Sequence, residues 1–334
     1  MLDTIMHIIL TGLIILFFTT GAYSVDFSFR AVTYNVLSDA FKRDYPYVKS
    51  LKEWGDCKAQ TRCFAVKSTI QSTNADIIAL QEIPRDAYNI LKSQLPGFDG
   101  EHVANARAEG ADGVAILWRS SMFSLANKDA QGNKLTEEKF DGTVLDNKPA
   151  LVLFLAHKNI ANIVIGTVSS HFGDSVYAKN PEGAGVGKMN EIITFLDKHK
   201  TSLNMILGDF NEDQKYNGDK SKLAIAKQHG YESGAKTDNA ITELRTDPNL
   251  LYELWPPRRA LDKTGMTLSR VIDWGLFKAN APFMVDVKRL HGEFDDYKVI
   301  YDKNNNAQIQ KGELVLSASD HLPVVFEVRV KTGK

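Results

Sequence analysis

The stretch AQTRCFAVKSTIQSTNADIIALQE, residues 59–82, contains a helix signal followed by a strand signal. Apolar residues recur at helical spacing from Ala59 to Ser72, whereas Ala75 to Leu80 is a compact apolar run of strand length. The strand run ends directly in the polar pair Gln81-Glu82. Alternation of helix and strand predicts an α/β class of fold, with candidate functional groups where a strand ends.

The same alternation continues on both sides of this stretch. Phe27 to Tyr34 has the period-two pattern of a strand. Seven later runs are also predicted to be strands: Gly113 to Trp118, Ala150 to Ala156, Ala161 to Ser169, Leu203 to Leu207, Val271 to Phe277, Glu313 to Leu316 and Val324 to Val330. Three further helices are predicted, over Arg85 to Gln94, Gly187 to Lys198 and Lys220 to Gln228. Residues 97–112, 127–147, 210–219 and 301–312 are rich in Pro, Gly and Asn and are predicted to be loops.

Composition limits the class of protein. The chain has 334 residues, with 40 Lys and Arg against 41 Asp and Glu, and a formal net charge of -1. These values exclude a disordered polyelectrolyte and a membrane protein with many spans. They also argue against a protein that holds long nucleic acid by overall charge. A mixed, β-rich sandwich flanked by helices, forming a single domain over residues 25–334, is the expected architecture.

Residues 1–24 have the features of a signal peptide. Ile8 to Phe18 is the densest apolar part and would span about 16 Å as a helix, too short for the membrane core. Ala22 and Ser24 supply small residues at positions -3 and -1 of a cleavage site. Asp3 and the absence of Lys or Arg before the apolar run fit this pattern badly. A membrane anchor and a buried N-terminal helix are the alternatives. A signal or an anchor places the domain outside the cytoplasm, as a secreted or periplasmic protein.

Cys57 and Cys63 are the only cysteines of the chain. In an oxidising compartment two cysteines suggest one disulfide. Six residues of continuous helix would separate them by about 9 Å, which is too far for a bridge, so a bridge requires a turn between them. The sequence leaves the bridged and free forms open.

Six short polar motifs lie at the ends of apolar runs. They are Tyr34-Asn35, Leu80-Gln81-Glu82, Ser170-His171-Phe172, Gly208-Asp209-Phe210-Asn211, Ile272-Asp273-Trp274 and Ser319-Asp320-His321. If the strands are neighbours, the motifs bring carboxylates, amides and two histidines into one cleft. Carboxylate oxygens such as those of Glu82 and Asp320 are ligands for Mg²⁺, with Mn²⁺ as a substitute. The combination favours hydrolysis of a phosphate ester by an activated water.

The order of these motifs resembles the endonuclease/exonuclease/phosphatase superfamily, whose fold is that of deoxyribonuclease I. The resemblance implies a four-layer α/β sandwich, with two central mixed β-sheets flanked by helices, and a divalent metal. Residues 33–39 and 74–83, with Val271-Ile272-Asp273, are most similar to the deadenylase and nocturnin branch. His171 is followed by Phe172 where that branch has Leu, and Leu268 stands where a base-stacking aromatic residue is expected. These departures concern the substrate rather than the chemistry.

The resemblance also implies a role for each motif residue. Glu82 is the principal metal ligand, with Asn35 beside it and Asp320 as a further ligand. Asp209 activates or orients the water, and Asn211 positions the water and the phosphate. His171 and His321 stabilise the charge that develops on the phosphoryl oxygens, and Asp273 orients one of these histidines.

Three functions remain open at this point. The expected function is a secreted Mg²⁺-dependent nuclease or nucleotide phosphodiesterase. The first alternative is a lipid phosphoesterase similar to sphingomyelinases or phosphoinositide phosphatases, and the second is a non-catalytic binding protein on the same fold. The expected partner is therefore a phosphate ester, with nucleic acid or a nucleotide favoured over a phospholipid headgroup. No protein partner is indicated and a monomer is expected.

Overall fold

A computed structural model describes residues 26–38, 54, 57, 61–106, 112–129, 131–140, 148–173, 185–212, 221–233, 273–290, 298–301, 307–310, 319, 321 and 323–332. Several predictions made from the sequence lie outside these residues. They are the signal peptide over 1–24, the strand Glu313 to Leu316 and the ligand role of Asp320.

The described residues form four helices and fifteen strands. The helices are α1 (Arg62–Thr73), α2 (Arg85–Ser93), α3 (Val186–Asp197) and α4 (Lys222–Gln228). The first eight strands are β1 (Asp26–Asn35), β2 (Ile77–Gln81), β3 (Phe98–Ala104), β4 (Gly113–Arg119), β5 (Phe123–Leu125), β6 (Glu138–Phe140), β7 (Ala150–His157) and β8 (Val164–His171). The others are β9 (Leu203–Asp209), β10 (Glu232–Ser233), β11 (Asp273–Ala279), β12 (Phe283–Arg289), β13 (Lys298–Tyr301), β14 (Ala307–Gln310) and β15 (Val324–Thr332).

Two large mixed sheets account for most of these strands. Among the described residues, the first sheet has the order β12-β15-β1-β2-β4-β3, and only its β1–β2 pair is parallel. The second has the order β10-β11-β9-β8-β7-β5, with β6 also paired to β7, and its β8–β9 pair is parallel. Strands β13 and β14 form a separate hairpin. Helix α1 connects β1 to β2, and α3 connects β8 to β9, as parallel neighbours require.

The two large sheets pack face to face, and helices cover their outer faces. The core between the sheets takes apolar side chains from both, among them Phe29, Ile116, Leu153, Met205 and Phe326. A second core joins the outer face of the first sheet to α1 and α2, and a third joins the second sheet to α3 and α4. The predicted four-layer sandwich with two central mixed sheets is confirmed.

Strand β1 shows how the sequence specifies these layers. Phe27, Phe29 and Ala31 alternate with their neighbours and face the core between the sheets. Val32 and Tyr34 have the opposite orientation and pack in the core beneath α1 and α2. From Ala31 onward every residue of β1 is buried, so the end of the strand is covered on both faces.

The loop predictions were wrong at several places. Strand β3 lies within the predicted loop 97–112, β6 within 127–147 and β14 within 301–312. In β3 the charged residues Asp99 and Glu101 lie on the more exposed face, so the short strand does not read as an apolar run. Strand β12 was not predicted, although Phe283, Val285 and Val287 alternate and pack against the core between the sheets.

Cys57 and Cys63 form a disulfide, which resolves the alternative that the sequence left open. Their Cα atoms are 4.7 Å apart, and Cys63 lies in the first turn of α1, whereas Cys57 precedes the helix. Cys57 has a positive φ of 60°, which provides the change of direction that a bridge over this short separation needs. In the described part of the chain, no helix is both long enough and apolar enough to cross a membrane.

Candidate active site

Polar residues from the two large sheets meet in pairs at one end of the sandwich. Each pair joins a strand of the first sheet to the facing strand of the second, and we call the four pairs the polar row. In order along the sheets, the pairs are His321 with Asp273 (β15 and β11), Asn35 with Asp209 (β1 and β9), Glu82 with His171 (β2 and β8) and Asp112 with Lys148 (β4 and β7). The first three pairs consist of residues predicted from the sequence.

Asn35 holds two carboxylates together. Its Nδ2 donates to Glu82 Oε1 and to Asp209 Oδ2, each at 3.1 Å. Its Oδ1 accepts from the backbone N–H of Leu37 at 2.9 Å, which fixes the orientation of the amide. The side chain therefore turns its NH₂ group toward the two carboxylates, and its contribution in this arrangement is to set their separation.

Glu82 stands in a strained backbone conformation at the end of β2. Its φ is 56°, in the left-handed region that a residue with a side chain adopts at a cost of order 1 kcal/mol. The backbone N–H of Ser38 donates to Oε2 at 3.0 Å, whereas Oε1 faces Asn35 and His171. The turn thus aims one carboxylate oxygen at the loop after β1 and the other into the polar row.

Asp209 is buried at the centre of the row. Asn211, at a φ of 49°, turns back so that its backbone N–H donates to Asp209 Oδ1 at 2.8 Å. Burial raises the pKa of Asp209 to about 7, and the negative charges of Asp273 and Glu82 act in the same direction, against the opposing effect of His321. A carboxyl group with a pKa near neutrality can accept a proton from water and release it again.

His171 is buried between Glu82 and Asp209. Its Nε2 lies 3.7 Å from Glu82 Oε1, 3.6 Å from Asp209 Oδ2 and 3.2 Å from Asn211 Nδ2. Burial lowers the pKa of His171 well below its ordinary value, and the positive charges of Lys148, Lys188 and His321 lower it further. The imidazole is therefore neutral at neutral pH and acts through hydrogen bonds rather than as a fixed positive charge.

Asp273 orients the second histidine of the row. Its Oδ2 lies 2.8 Å from His321 Nδ1, so Nδ1 donates the hydrogen bond and Nε2 is left facing Asp209 Oδ2 at 3.9 Å. Ser319 supports the same loop, because its Oγ accepts from the His321 backbone N–H at 3.1 Å and donates to Asn35 O at 2.7 Å. An acid–histidine pair of this kind fixes the ring and its tautomer.

The donor set suits a hard divalent cation. Ligand atoms of Glu82, His171 and Asp209 lie within 4.8 Å of one another, as do those of Asp209, Asp273 and His321. Two of the first three are carboxylates, whose oxygens Mg²⁺ prefers. Glu82 and Asp209 share one amide group, and a divalent cation at this cluster would offset the mutual repulsion of their carboxylates.

A buried chain of hydrogen bonds connects the sheets directly beneath the row. Thr33 Oγ1 donates to Gln81 Oε1 at 3.1 Å, and Gln81 Nε2 donates to Ser169 Oγ at 3.1 Å. Ser169 Oγ in turn donates to the backbone carbonyl of Leu80 at 2.9 Å. Gln81 belongs to a predicted motif, but the sequence did not indicate that it bridges the two sheets.

Three further residues of the site were not predicted. Asp112 and Lys148 form the fourth pair of the row, and Lys188 Nζ donates to the backbone carbonyls of Lys148 and His171. Two of them have the sequence feature shared by the other motifs, a polar residue at the end of an apolar run. Asp112 immediately precedes an apolar strand, and Lys148 stands two positions before another. Lys188 lies on α3 and carries no such signal.

A family model described as the Endonuclease/Exonuclease/phosphatase family matches residues 32–265 of this chain. That range contains the motif residues from Asn35 to Asn211, and Asp273 and His321 lie beyond its end. No curated protein sequence gives a significant match.

Three solved structures illustrate the likeness in fold. A mannosyl-6-phosphatase of Bacteroides thetaiotaomicron has 18% identity and a TM-score of 0.58, covering 90% of this chain and 99% of that chain. TDP2 of D. rerio, complexed with a single-strand DNA product, has 13% identity and a TM-score of 0.55, covering 90% and 98%. The human nocturnin catalytic domain, with a bound sulfate anion, has 17% identity and a TM-score of 0.50, covering 91% and 96%.

Proposed function

This chain belongs to the endonuclease/exonuclease/phosphatase family of phosphate-ester hydrolases, and on that premise we propose that it is a Mg²⁺-dependent nuclease or nucleotide phosphodiesterase. The observation that carries the proposal is the centre of the polar row. There the buried carboxylate of Asp209 lies beside Glu82, Asn35 and His171, at one end of both sheets.

In this proposal Asp209 is the proton acceptor. Its pKa of about 7 makes it a base strong enough to take a proton from an attacking water yet ionised in a large fraction of molecules at neutral pH. Asn35 Nδ2 and the Asn211 backbone N–H hold its two oxygens, so the carboxylate is fixed before the substrate arrives. Fixed geometry lowers the entropic part of the barrier.

The two histidines stabilise the reacting phosphate by hydrogen bonds. Asp273 holds the Nδ1 proton of His321, so Nε2 faces the row and would donate to a phosphoryl oxygen when the ring carries its second proton. Neutral His171 is held beside Asn211, and both can contact a phosphoryl oxygen. Donors fixed in a buried site are worth more for transition-state charge than donors in water.

Among the described residues Glu82, with Asn35 beside it, would hold the divalent cation, and Asp320 stays a predicted further ligand. A bound Mg²⁺ would supply positive charge to neutralise the phosphoryl oxygens. Asn35 positions both carboxylates through its NH₂ group, and its oxygen, which accepts one hydrogen bond from the Leu37 N–H, keeps a second lone pair for a cation.

The proposed substrate is a nucleic acid strand or a nucleotide. One of the similar structures supports it, because TDP2 of D. rerio was captured with a single-strand DNA product. The similar mannosyl-6-phosphatase makes a sugar phosphate the principal competing substrate. Activity should therefore be measured on single-stranded RNA and DNA, mononucleotides, sphingomyelin, inositol phosphates and mannose 6-phosphate, each with Mg²⁺, with Mn²⁺ and with EDTA.

We expect hydrolysis of a nucleic acid or nucleotide ester that is lost in EDTA and restored by Mg²⁺. His171→Ala should lose most of this activity, whereas His229→Ala, a half-exposed histidine at the end of α4, serves as the matched control and should keep it. Full activity in EDTA would refute the metal dependence. Activity on mannose 6-phosphate or on a lipid alone would refute the proposed substrate.

We further propose that residues 1–24 are a cleaved secretory signal. N-terminal sequencing of the protein recovered from the medium or the periplasm should begin at Val25. Retention in the membrane fraction with an intact N-terminus would support an anchor instead.

A further inference from the structure

The fourth pair of the polar row has no role in the reaction described so far. Asp112 lies just before β4 and Lys148 just before β7, at the end of the row opposite His321 and Asp273. Lys148 Nζ is 3.6 Å from Asp112 Oδ2. These strands are the direct neighbours of β2 and β8, which carry Glu82 and His171.

Burial of the Asp112 carboxylate at this position is energetically unfavourable. It is 2% exposed, and burial raises its pKa to about 6, with the charge of Glu82 as a second cause in the same direction. Asn105 Nδ2 lies 3.4 Å from Oδ2 and offers one weak hydrogen bond. A buried carboxylate adds little to stability, since apolar residues of similar size often replace such ion pairs without loss. The pair therefore calls for an explanation other than packing.

Lys148 differs from Asp112 in its contact with solvent. Its side chain is 23% exposed against 3% for that of Asp112, so the carboxylate is enclosed while part of the lysine side chain is open. The other three pairs of the row contain no lysine or arginine. Among the four pairs, Lys148 is thus the one residue with a permanent positive charge.

The main chain at Lys148 is fixed to that of His171. The His171 N–H donates to Pro149 O at 3.2 Å, and the buried Nζ of Lys188 donates to Lys148 O at 3.1 Å and to His171 O at 2.5 Å. Asp112 restrains the far end of the side chain. The charge of Lys148 also reaches His171, where it depresses the imidazole pKa. Lys148 is therefore held at a set position beside the proposed reaction centre.

We propose that Lys148, positioned by Asp112, binds a second phosphate group of the substrate, adjacent to the phosphate that is hydrolysed. This inference rests on the proposed function and narrows its substrate class to esters with at least two phosphates, such as a polynucleotide strand. Neighbouring strands are about 4.8 Å apart, so Lys148 is displaced by one strand from the pair Glu82–His171. That displacement suits the next phosphate along a chain better than another oxygen of the same phosphate.

Binding of dinucleotides tests the inference without relying on hydrolysis. The ligands are one dinucleotide without a terminal phosphate and the same dinucleotide with a 5′- or a 3′-phosphate, measured by calorimetry on the full chain in EDTA. We expect the wild type to bind one phosphorylated form about tenfold more tightly than the unphosphorylated form, as one charge-assisted contact allows. Lys148→Met should remove this preference and Lys148→Arg should keep it.

Lys278→Met is the matched control. Lys278 has a side-chain exposure of 22% and is paired with Asp197 at 2.7 Å, near the end of β11 remote from Asp273. This variant should keep the full preference. Loss of one charged contact should also weaken the salt dependence of the affinity for the phosphorylated dinucleotide in Lys148→Met, which a purely structural effect would not do.

A second variant covers the case in which Lys148→Met does not fold. Asp112→Asn keeps the shape of the side chain and removes the restraint on Lys148, so we expect a preference reduced several-fold at an unchanged melting temperature. The inference would be overturned if these variants lost affinity equally for the phosphorylated and the unphosphorylated dinucleotide. It would also be overturned if Lys278→Met lost the preference for the phosphorylated form. A Lys148-dependent preference in a protein that hydrolyses no phosphate ester would instead refute the proposed function alone.

Discussion

At the scale of single residues, the site combines groups that are costly to bury. Asp209 and Asp273 lie within one hydrogen-bonded cluster together with His171 and His321, and all four are buried. Burial raises the pKa of Asp209 and lowers that of His171, and neighbouring charges contribute to both shifts. Residues of this kind stabilise a fold poorly, so replacing them should affect activity and stability in opposite directions.

Asp209→Asn tests that opposition. The variant loses the proposed proton acceptor, so we expect kcat to fall by about 10³-fold, within the range for general bases. The melting temperature should be unchanged or higher, because a buried charge is removed. Steady-state kinetics and thermal unfolding of the same samples measure both quantities. A large fall in melting temperature would show that Asp209 is mainly structural.

His102 provides a pH-dependent prediction away from the reaction centre. Its Nε2 donates to the carbonyl of Ile83, the residue after Glu82, and burial lowers its pKa from 6.5 to about 4. Between these two pH values the unfolded chain binds the proton and the folded chain does not. The free energy of unfolding should therefore decrease as the pH falls from 6.5 to 4, by up to roughly 3 kcal/mol from this residue.

Denaturant unfolding of the wild type and His102→Gln across this pH range measures the effect. The Gln variant cannot titrate and should show a shallower loss of stability between pH 6.5 and 4. Parallel curves for the two proteins would mean that His102 does not contribute.

At the scale of elements, Gly208 lets β9 approach β8 closely enough to bring Asp209 beside His171. A Cβ at position 208 would lie 2.0 Å from the backbone oxygen of Ser170, which is a severe clash. Ser170 and Gly208 are paired in the parallel β8–β9 ladder, next to His171 and Asp209. The glycine of the Gly208-Asp209-Phe210-Asn211 motif is thus required by the distance between two strands.

Gly208→Ala should consequently separate the ends of β8 and β9. We expect a loss of several kcal/mol of stability, at the upper end for single substitutions, together with a loss of activity. Gly230→Ala is an informative comparison, since that position has open space around it and only its φ of 80° opposes a side chain. If Gly208→Ala unfolds like the wild type, the strands can shift at little cost.

Much of the sandwich could be predicted because its central strands are buried on both faces and read as long apolar runs. Strands β4, β7 and β9 are of this kind. The edge strands β3 and β12 expose one face, so their polar residues conceal the pattern. The motif residues were found through their order along the chain. Lys188 was missed because its contact with His171 O depends on how α3 packs, which spacing along the chain does not encode.

At the scale of the whole molecule, the disulfide restrains the helix that holds the loop next to Asn35. It fixes the start of α1, where the buried Arg62 donates to the carbonyls of Val36 and Leu37. Leu37 in turn holds the amide of Asn35. The covalent bond and the site are therefore connected through one helix and one loop.

Reduction of the disulfide should destabilise the protein by about 2 kcal/mol, the value expected for so short a loop. Thermal unfolding with and without a reductant measures this change. The Cys57→Ser, Cys63→Ser double variant should match the reduced protein and should not respond to the reductant. A response of the double variant would point to an unrelated effect of the reagent.

The polar row also has a consequence for how the protein acquires activity. Every pair takes one residue from each sheet, and the bonds of the row span up to 174 residues of chain. Each sheet alone contains only half of the row, so a folding intermediate with one sheet formed would be inactive. In a refolding experiment, the rate at which hydrolysis recovers would thus report the docking of the two sheets. The circular dichroism signal would recover earlier, because it reports the formation of strands and helices.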